Sequence, residues 1–532
     1  MDVSHLTVGK PDGSPDDDHE EVNAVLDVRS AMRRSAQFHW DLPAVVSGGR
    51  QLTFGETWQR GMRLANALIA AGLEPGDRVA VLEDNCIEAA DFFIGSAAAG
   101  VVRVPLYRRN SAGAHGGMIT GTQCKAVVVS AEYANEISEI DGVTMIVRDE
   151  KYESWLASFP DTDPNPGIGL DDVFIIRHSA GTVGRAKGIA YTHRAWMNTT
   201  RDWFYMLPPV EYGDKCLHVG PISHGSGYLF LPLWLGGGCN LLDRKFESTG
   251  FTARVAKDEI GWFFAVPTML ADIIRSVGGK PQTLPSLKAV MISGAPITAK
   301  TAVGAHEVFG DVLFQMYGQT EAVPVSFMGP KEWFRDLPGS DPVRAAGRLM
   351  PFAELEIRGE DNQPLPPGEE GEIAIRCDGQ MTGIWGDPDM TSRRLIEGWV
   401  LTGDIGRLDK NGYLYVVDRV DDMIVSGGFN IWPAELEQAI ETLPGVREVV
   451  VFGVPHGKWG EAPLALVVRE PGAELSEHTV IEACTRLLGS YKKPASVLFR
   501  DEPLPRSPVG KIQRKVIREP YWAGEERRVR GA

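Results

Sequence analysis

The chain has no C-x-x-C pair, no surplus of basic charge and no G-x-x-x-x-G-K-[ST] loop, and each absence removes a class of function. Its six cysteines stand apart at Cys86, Cys124, Cys216, Cys239, Cys377 and Cys484, which excludes zinc ribbons and thioredoxin-like redox motifs. Sparse, scattered thiols predict reduced, mostly buried residues of a cytosolic protein. Lysine and arginine total 54 against 71 acids, a net charge of −17. Domains that coat phosphates are usually basic, so nucleic acid is excluded as a bulk partner, while a single nucleotide in a pocket stays open. The opening MDVSHLTVGKPDGSPDDDHEE is acidic and polar, the opposite of a signal peptide. The charge-free run from Cys216 to Leu242 holds His218, His224, Pro221, Pro232 and three consecutive glycines, and so reads as buried loop and core, with no membrane span. A cytoplasmic protein is expected.

With 532 residues, 43% hydrophobic and 23% charged, the chain exceeds what one core needs and predicts several domains. Residues 1–22 read as a disordered acidic arm, because Asp16, Asp17, Asp18, Glu20 and Glu21 repel one another with little apolar company. LTFGETWQRGMRLANALIAAGL predicts a short strand and then a helix closed by Gly72. DRVAVLEDN reads as a strand, IEAADFFIGSAAAG as a helix and VVRVPLY as another strand, with similar apolar runs at CKAVVVS, SLKAVMISG and DVLFQMYG. Alternating strands and helices predict an α/β body of doubly wound parallel sheets over residues 23–419. Past residue 345, AELEIRGEDNQPLPPGEEGEIAIR predicts an antiparallel sheet or small β-barrel. From residue 420 a small α+β unit follows: Pro433 opens a helix, then come REVVVFGVPH, PLALVVRE and a helix around HTVIEACTRLLGSY.

Four segments carry chemistry. HSAGTVGRAKG, His178 to Gly188, follows the apolar strand VFII; its glycines, Thr182 and Lys187 suit a loop whose backbone N–H groups cradle phosphate oxygens, and equally a plain glycine-rich turn. MYGQTEA, Met316 to Ala322, offers a stacking face, a hydroxyl and a carboxylate at a strand end. In LTGDIGRLDKNGYLYVVDR, Asp404 suits ribose hydroxyls and Arg419 a nucleotide, with Asn411–Gly412 turning a hairpin. LPRSPVGKIQRKVIRE places Lys511 after a glycine in a Pro-rich loop, where most lysines are simply solvated.

In this order and spacing the four closely resemble the adenylate-forming superfamily, the AMP-dependent acyl-CoA synthetases and their relatives. The resemblance covers nearly the whole chain, with PISHGSGY, VPTML, ISGAPI, VFGVPHGKWGEAPLALVV and YKKPASVLF as further matches. It implies that a carboxylate attacks the α-phosphate of Mg-ATP to give an acyl-adenylate and pyrophosphate, after which the thiol of coenzyme A displaces AMP. Alignment of two anions and a positioned cation are what such chemistry needs. The resemblance puts that cation at Lys511, the magnesium carboxylate at Glu321 and an α-phosphate contact at Thr320. Tyr317 and Gly318 would lie by the adenine, with Gly294, Ala295 and Pro296 opposite. Ser179, Gly181, Thr182, Gly184 and Lys187 would hold the phosphates, and Asp404 and Arg419 the ribose. A mobile C-terminal domain would turn about Asp421, bringing Gly427 and Gly428 into the thiol's path.

The phosphate loop departs from the family form [YF]-T-S-G-T-T-G-x-P-K-G: Ser179 stands for Thr, Ala180 for Ser, Val183 for Thr and Ala186 for Pro. Two hydroxyls are lost, each a bond to a charged group of about 1.5–3 kcal/mol, with His178 and Arg185 as compensating donors. His224 in PISHGSGY is set to orient the substrate carboxylate, gate the acyl tunnel or pack in its loop. GYLFLPLWL and GWFFAVPTM suggest an apolar pocket, and no acid stands at PISHGSGY where amino-acid-activating relatives carry one. A hydrophobic carboxylic acid, fatty, aryl or cycloaliphatic, is the expected substrate. Arg108–Arg109 reads as a solvated face or a CoA phosphate contact. Two alternatives stay open: delivery to a carrier-protein pantetheine or another acceptor, and a catalytically weak nucleotide-binding relative.

Overall fold

The computed structural model describes residues 27–108, 110–137, 139–179, 187–426, 429–506 and 512–523. The expected acidic arm, residues 1–22, lies outside them.

Two large sheets share a layer of helices. The first contains a parallel run, Pro43–Ser47, Cys239–Leu242, Lys215–His218, Trp262–Ala265, Ala289–Ile292 and Leu313–Gln319. The second is seven-stranded, with Arg78–Leu82, Val102–Pro105, Ala126–Ser130, Thr144–Arg148 and Val173–Ser179 parallel and Lys187–Thr192 antiparallel toward one edge. Between them lie Phe54–Ala70, Ile87–Ala99, His193–Met206 and Phe230–Leu235, joined to both sheets by one core that includes Phe93, Phe174, Trp203, Phe230 and Trp234. Further helices cover each outer face.

Local sequence explains the packing. Thr53 caps the helix Phe54–Ala70 in a reciprocal capping box with Glu56, and Gly72, at φ +84°, turns the chain away as expected. The next helix, Ile87–Ala99, is buried almost all round, which its Ala/Gly/Phe composition permits. A Cβ on Gly61 would come within 2.4 Å of the Ile94 side chain, so the bare backbone there sets how closely the two helices approach. The charge-free run is core, as expected, but more regular than a loop: strand Lys215–His218, helix Phe230–Leu235 and strand Cys239–Leu242. No helix among the described residues is long and apolar enough to cross a membrane.

The antiparallel strands Gly347–Leu349, Ala353–Arg358, Gly371–Cys377, Trp399–Leu408 and Tyr413–Arg419 continue the first sheet to a total of 14 strands. Asn411–Gly412 forms the predicted turn, with Gly412 at φ +81°. After Arg419 a short 3-10 turn, Val420–Asp422, leads to a separate five-stranded sheet beginning at Ile424–Ser426. Helices Pro433–Glu441 and Glu477–Leu488 pack on one of its faces, while Leu504 and Ile517 pack on the other.

Candidate active site

The C-terminal ends of the parallel strands in the first sheet meet the antiparallel strands at a tight hairpin. Gln319 pairs with Ala322 across the antiparallel ladder, leaving Thr320–Glu321 as a two-residue turn. MYGQTEA is therefore mostly strand, with only Thr320 and Glu321 between the two strands. A bulge separates Tyr317 from Gln319. A Cβ on Gly318 would stand 2.9 Å from both the Ala322 carbonyl oxygen and the Val323 side chain, so only glycine fits the bulge.

Asp404 gathers three partners. The Tyr317 hydroxyl donates to its Oδ2 at 2.8 Å, Gln319 Nε2 donates to the same oxygen, and Arg419 Nε pairs with Oδ1 at 3.2 Å. The last contact follows from register, because Asp404 and Arg419 face each other across the hairpin. Burial, reinforced by the Asp404 carboxylate, pushes the Tyr317 phenol well above the usual tyrosine value and keeps it a neutral donor. Three of the four lone-pair positions on Asp404 are thus used, leaving Oδ1 one acceptor position for a hydroxyl. Gly294, at φ +90°, follows the strand Ala289–Ile292, whose Ile292 is level with Gln315. The Gly294–Ala295–Pro296 segment that follows this strand end is exposed.

Charge converges beside this array. Lys187 pairs with Ser179 at the mouth of the hairpin that closes the phosphate-loop segment. Burial and then the nearby Arg394 push its ammonium below the usual lysine value, while Glu321 and Asp421 act the other way. Arg419 feels Asp404, Glu321, Asp422 and Asp421 together. Glu321 is only 6% exposed, and none of the hydrogen bonds found among the described residues uses its carboxylate. Those residues contain no group of three or more metal-ligating side chains. One carboxylate facing cations fits magnesium that arrives with nucleotide phosphates, because that ion keeps its waters and takes one or two protein carboxylates.

The third wall carries His224. Its Nδ1 lies 3.0 Å from the Tyr107 hydroxyl, which donates to the His178 carbonyl at 2.7 Å. Burial lowers the His178 imidazole to about 4, so near pH 7 it is neutral and has one ring N–H to donate but no charge. Thr320 receives the Tyr191 hydroxyl on its carbonyl oxygen at 2.7 Å. Arg108 is part-exposed and paired with Asp84 at 2.8 Å, and it donates to Tyr133. It lines a separate 710 Å³ recess in which Arg244 is likewise paired with Asp84. Gly181, Thr182, Gly184, Ala180, Val183, Arg185, Ala186, Arg109, Gly427, Gly428 and Lys511 lie outside the described residues, as does the side chain of Ser179. Arg394, Gln319, Tyr107 and Tyr191 escaped sequence reasoning. Only Gln319, inside MYGQTEA, had a local signal.

Residues 32–385 match the AMP-binding enzyme family, and residues 435–511 match the AMP-binding enzyme C-terminal domain. The chain is 33% identical over 492 residues to a feruloyl-CoA synthase of Amycolatopsis, covering 92% of this chain and 98% of that protein. It is 31% identical over 510 residues to a fatty acid–[acyl-carrier-protein] ligase of Streptomyces coeruleorubidus, covering 93% and 96%. Among solved structures, ATP-bound MatB from Rhodopseudomonas palustris superposes with a TM-score of 0.85 at 27% identity, covering 93% of this chain and 99% of that one. The chain belongs to the AMP-binding enzyme family, the adenylate-forming acyl-CoA synthetases, and is an AMP-forming acid–thiol ligase that uses ATP, magnesium and coenzyme A.

Proposed function

We propose that the enzyme activates a hydrophobic carboxylic acid, fatty, aryl or cycloaliphatic, on the cleft built around Asp404 and Glu321. The observation that carries this reading is the convergence of Tyr317, Asp404 and Arg419 with Glu321 and Lys187. Asp404 accepts a ribose hydroxyl on the remaining position of Oδ1, and Arg419 holds that carboxylate in place through its 3.2 Å ion pair. Tyr317 and the Gly294–Pro296 segment enclose the adenine. Lys187 and the backbone of Gly181, Thr182 and Gly184 hold the phosphates, while Thr320 meets the α-phosphate. Glu321 would hold the magnesium that arrives with the nucleotide, and the bound ion would supply neutralisation of phosphate charge, which favours approach of an anionic nucleophile. The acid's carboxylate oxygen attacks the α-phosphorus, the bond to the pyrophosphate oxygen breaks, and Lys511 stabilises the charge developing on the phosphoryl oxygens. In the second step the thiol sulfur of coenzyme A bonds to the acyl carbon, AMP leaves with the bonding electron pair, and the thiol proton passes to solvent.

The chain divides in this reading into an N-terminal body, 23–419, and a C-terminal unit, 420–532, hinged at Asp421. Rotation exchanges the Lys511 loop for Gly427–Gly428. The 3-10 turn Gly225–Tyr228, the helix Phe230–Leu235 and the strand Trp262–Ala265 follow His224 or pack close to it with apolar side chains, and the carboxylic acid enters there. The finer assignment of an acyl carrier protein as acceptor is the competing outcome, favoured by the resemblance to the carrier-protein ligase. Product analysis across a carboxylic-acid panel separates the two. Acyl-CoA formation from hydrophobic acids supports the proposal, and acid-stimulated pyrophosphate release without any thioester to CoA overturns its second half.

A further inference from the structure

Two guanidinium groups are buried on one face of the seven-stranded sheet. Arg103 is 1% exposed and Arg177 2%. Arg103 is level with Ile175 in the parallel pairing, and Arg177 stands two residues beyond Ile175, so both project from the same face. Among the described residues no carboxylate lies within ion-pair reach of Arg177. Its Nη2 lies 3.4 Å from His224 Nδ1, and its guanidinium lies 4.4 Å from the ring of Tyr228 and 5.9 Å from that of Trp196. Near it other buried polar atoms have no hydrogen-bond partner among the described residues: Nε and Nη2 of Arg103 and the Tyr228 hydroxyl.

Such an island is costly. Removing a charge from water costs several kcal/mol, and a desolvated cation–π contact returns about 2. Buried charges are ordinarily paired and buried hydroxyls satisfied. The Arg177 guanidinium, without a carboxylate partner, and the Tyr228 hydroxyl therefore offer donors to an oxygen acceptor that the described residues do not supply. Their depth says which part of a substrate reaches them. Lys187 pairs with Ser179 at the mouth of the hairpin, and Arg177 pairs with Ile189, two residues further in. At roughly 3.3 Å per residue that is about 7 Å below the phosphate-binding end. A carboxylate attacking the α-phosphate stays at the mouth; the group that arrives beside Arg177 is carried further along the acyl chain.

We propose that Arg177 and the Tyr228 hydroxyl form a specificity subsite for an oxygen acceptor on the body of the acid, with a second carboxylate as the form that best matches the guanidinium's charge. This rests on the reading that the acyl pocket adjoins His224. The substrate is then a hydrophobic acid with a polar oxygen about 7 Å from its reacting end, by the same strand rise.

The test compares matched acids of equal length, one ending in a methyl group and the others in a ketone or a carboxylate at that distance. Acid-dependent pyrophosphate release gives kcat/KM for each with wild-type enzyme, Arg177→Met, Arg177→Lys and Tyr228→Phe. Wild type should favour an oxygen-bearing acid by at least about tenfold, as sites built around hydrogen-bonding groups do. Arg177→Met should erase or reverse that preference and Arg177→Lys should keep part of it. Tyr228→Phe, which removes a single atom, should lower kcat/KM about tenfold more for the oxygen-bearing acid than for its methyl partner. Wild type that prefers methyl-ended acids, or variants that change all acids alike, would overturn the subsite and leave the adenylation reading standing. Pyrophosphate release that no acid stimulates would overturn both.

Discussion

Asp404 and Arg419 face each other across the hairpin Trp399–Leu408/Tyr413–Arg419 and close an ion pair of 3.2 Å. Because Tyr317 and Gln319 reach the same carboxylate, one side chain ties the antiparallel strands to the end of the parallel run. Changing Asp404 to Asn keeps the shape and removes the charge. A hydrogen bond to a charged group is worth about 1.5–3 kcal/mol, so KM for ATP should rise on the order of tenfold or more, with KM for the acid little altered. Initial-rate kinetics against each substrate checks the split.

Gly318→Ala drives a Cβ against the Ala322 carbonyl and Val323. Backbone on one side leaves little room to yield, so the bulge must open at a cost of about 1–3 kcal/mol. The expected result is a lower thermal midpoint together with a fall in kcat, since Thr320 and Glu321 sit on that turn. An unaltered kcat at normal stability would contradict the placement of the turn in the site.

Arg514 holds three acids around the short turn Val420–Asp422: Asp422 at 2.6 Å, Glu437 at 2.9 Å and Asp418 at 3.5 Å. Burial pushes Asp418 up to about 6 even with Arg514 opposing it. A carboxyl whose folded pKa exceeds its unfolded one binds its proton better when folded, so its contribution improves as pH falls through 6 toward 3.8 and is unfavourable above. Arg514→Met removes the opposing charge and raises that value further. The thermal midpoint lost in this variant should therefore be larger at pH 8 than at pH 5.5. Equal losses would mean that the acids do not depend on Arg514.

The phosphate loop invites reversal of its own departures. Ala180→Ser with Val183→Thr restores two hydroxyls, and KM for ATP should fall by about tenfold if each bond returns part of its 1.5–3 kcal/mol. An unchanged or higher KM would show that this loop binds phosphate by its backbone and lysine alone.

What could be read in advance, and what could not, divides by distance along the chain. Gly72, Asn411–Gly412 and Pro433 announce a helix end, a hairpin and a helix start because each acts through its own backbone or its immediate neighbours. Tyr317, Glu321, Asp404 and Arg419 were legible as a set only through the family's order of motifs. Their meeting depends on the register Asp404–Arg419 and on a glycine bulge, neither of which has a local signature. Arg394 reaches Thr402 from a seven-residue helix, Pro388–Arg394, and looks like an ordinary surface arginine until the fold brings it beside Lys187. Arg177 is the converse: VFIIRHS reads as a strand leading into a loop, and its burial without a carboxylate emerges only when Tyr228 and Trp196 close over it.

Lys511→Ala should abolish adenylation and spare thioester formation from supplied acyl-adenylate, because the proposed rotation about Asp421 would remove the lysine before the thiol attacks. Loss of both steps alike would contradict the exchange of the two loops. Rapid-mix assays of each half-reaction give the comparison.

The central claim, activation of an acid before any thiol is needed, is tested most directly by isotope exchange between pyrophosphate and ATP in the absence of coenzyme A. The account predicts exchange that requires a hydrophobic acid and magnesium and proceeds without thiol. Exchange without any acid, or exchange that appears only when coenzyme A is added, would contradict it.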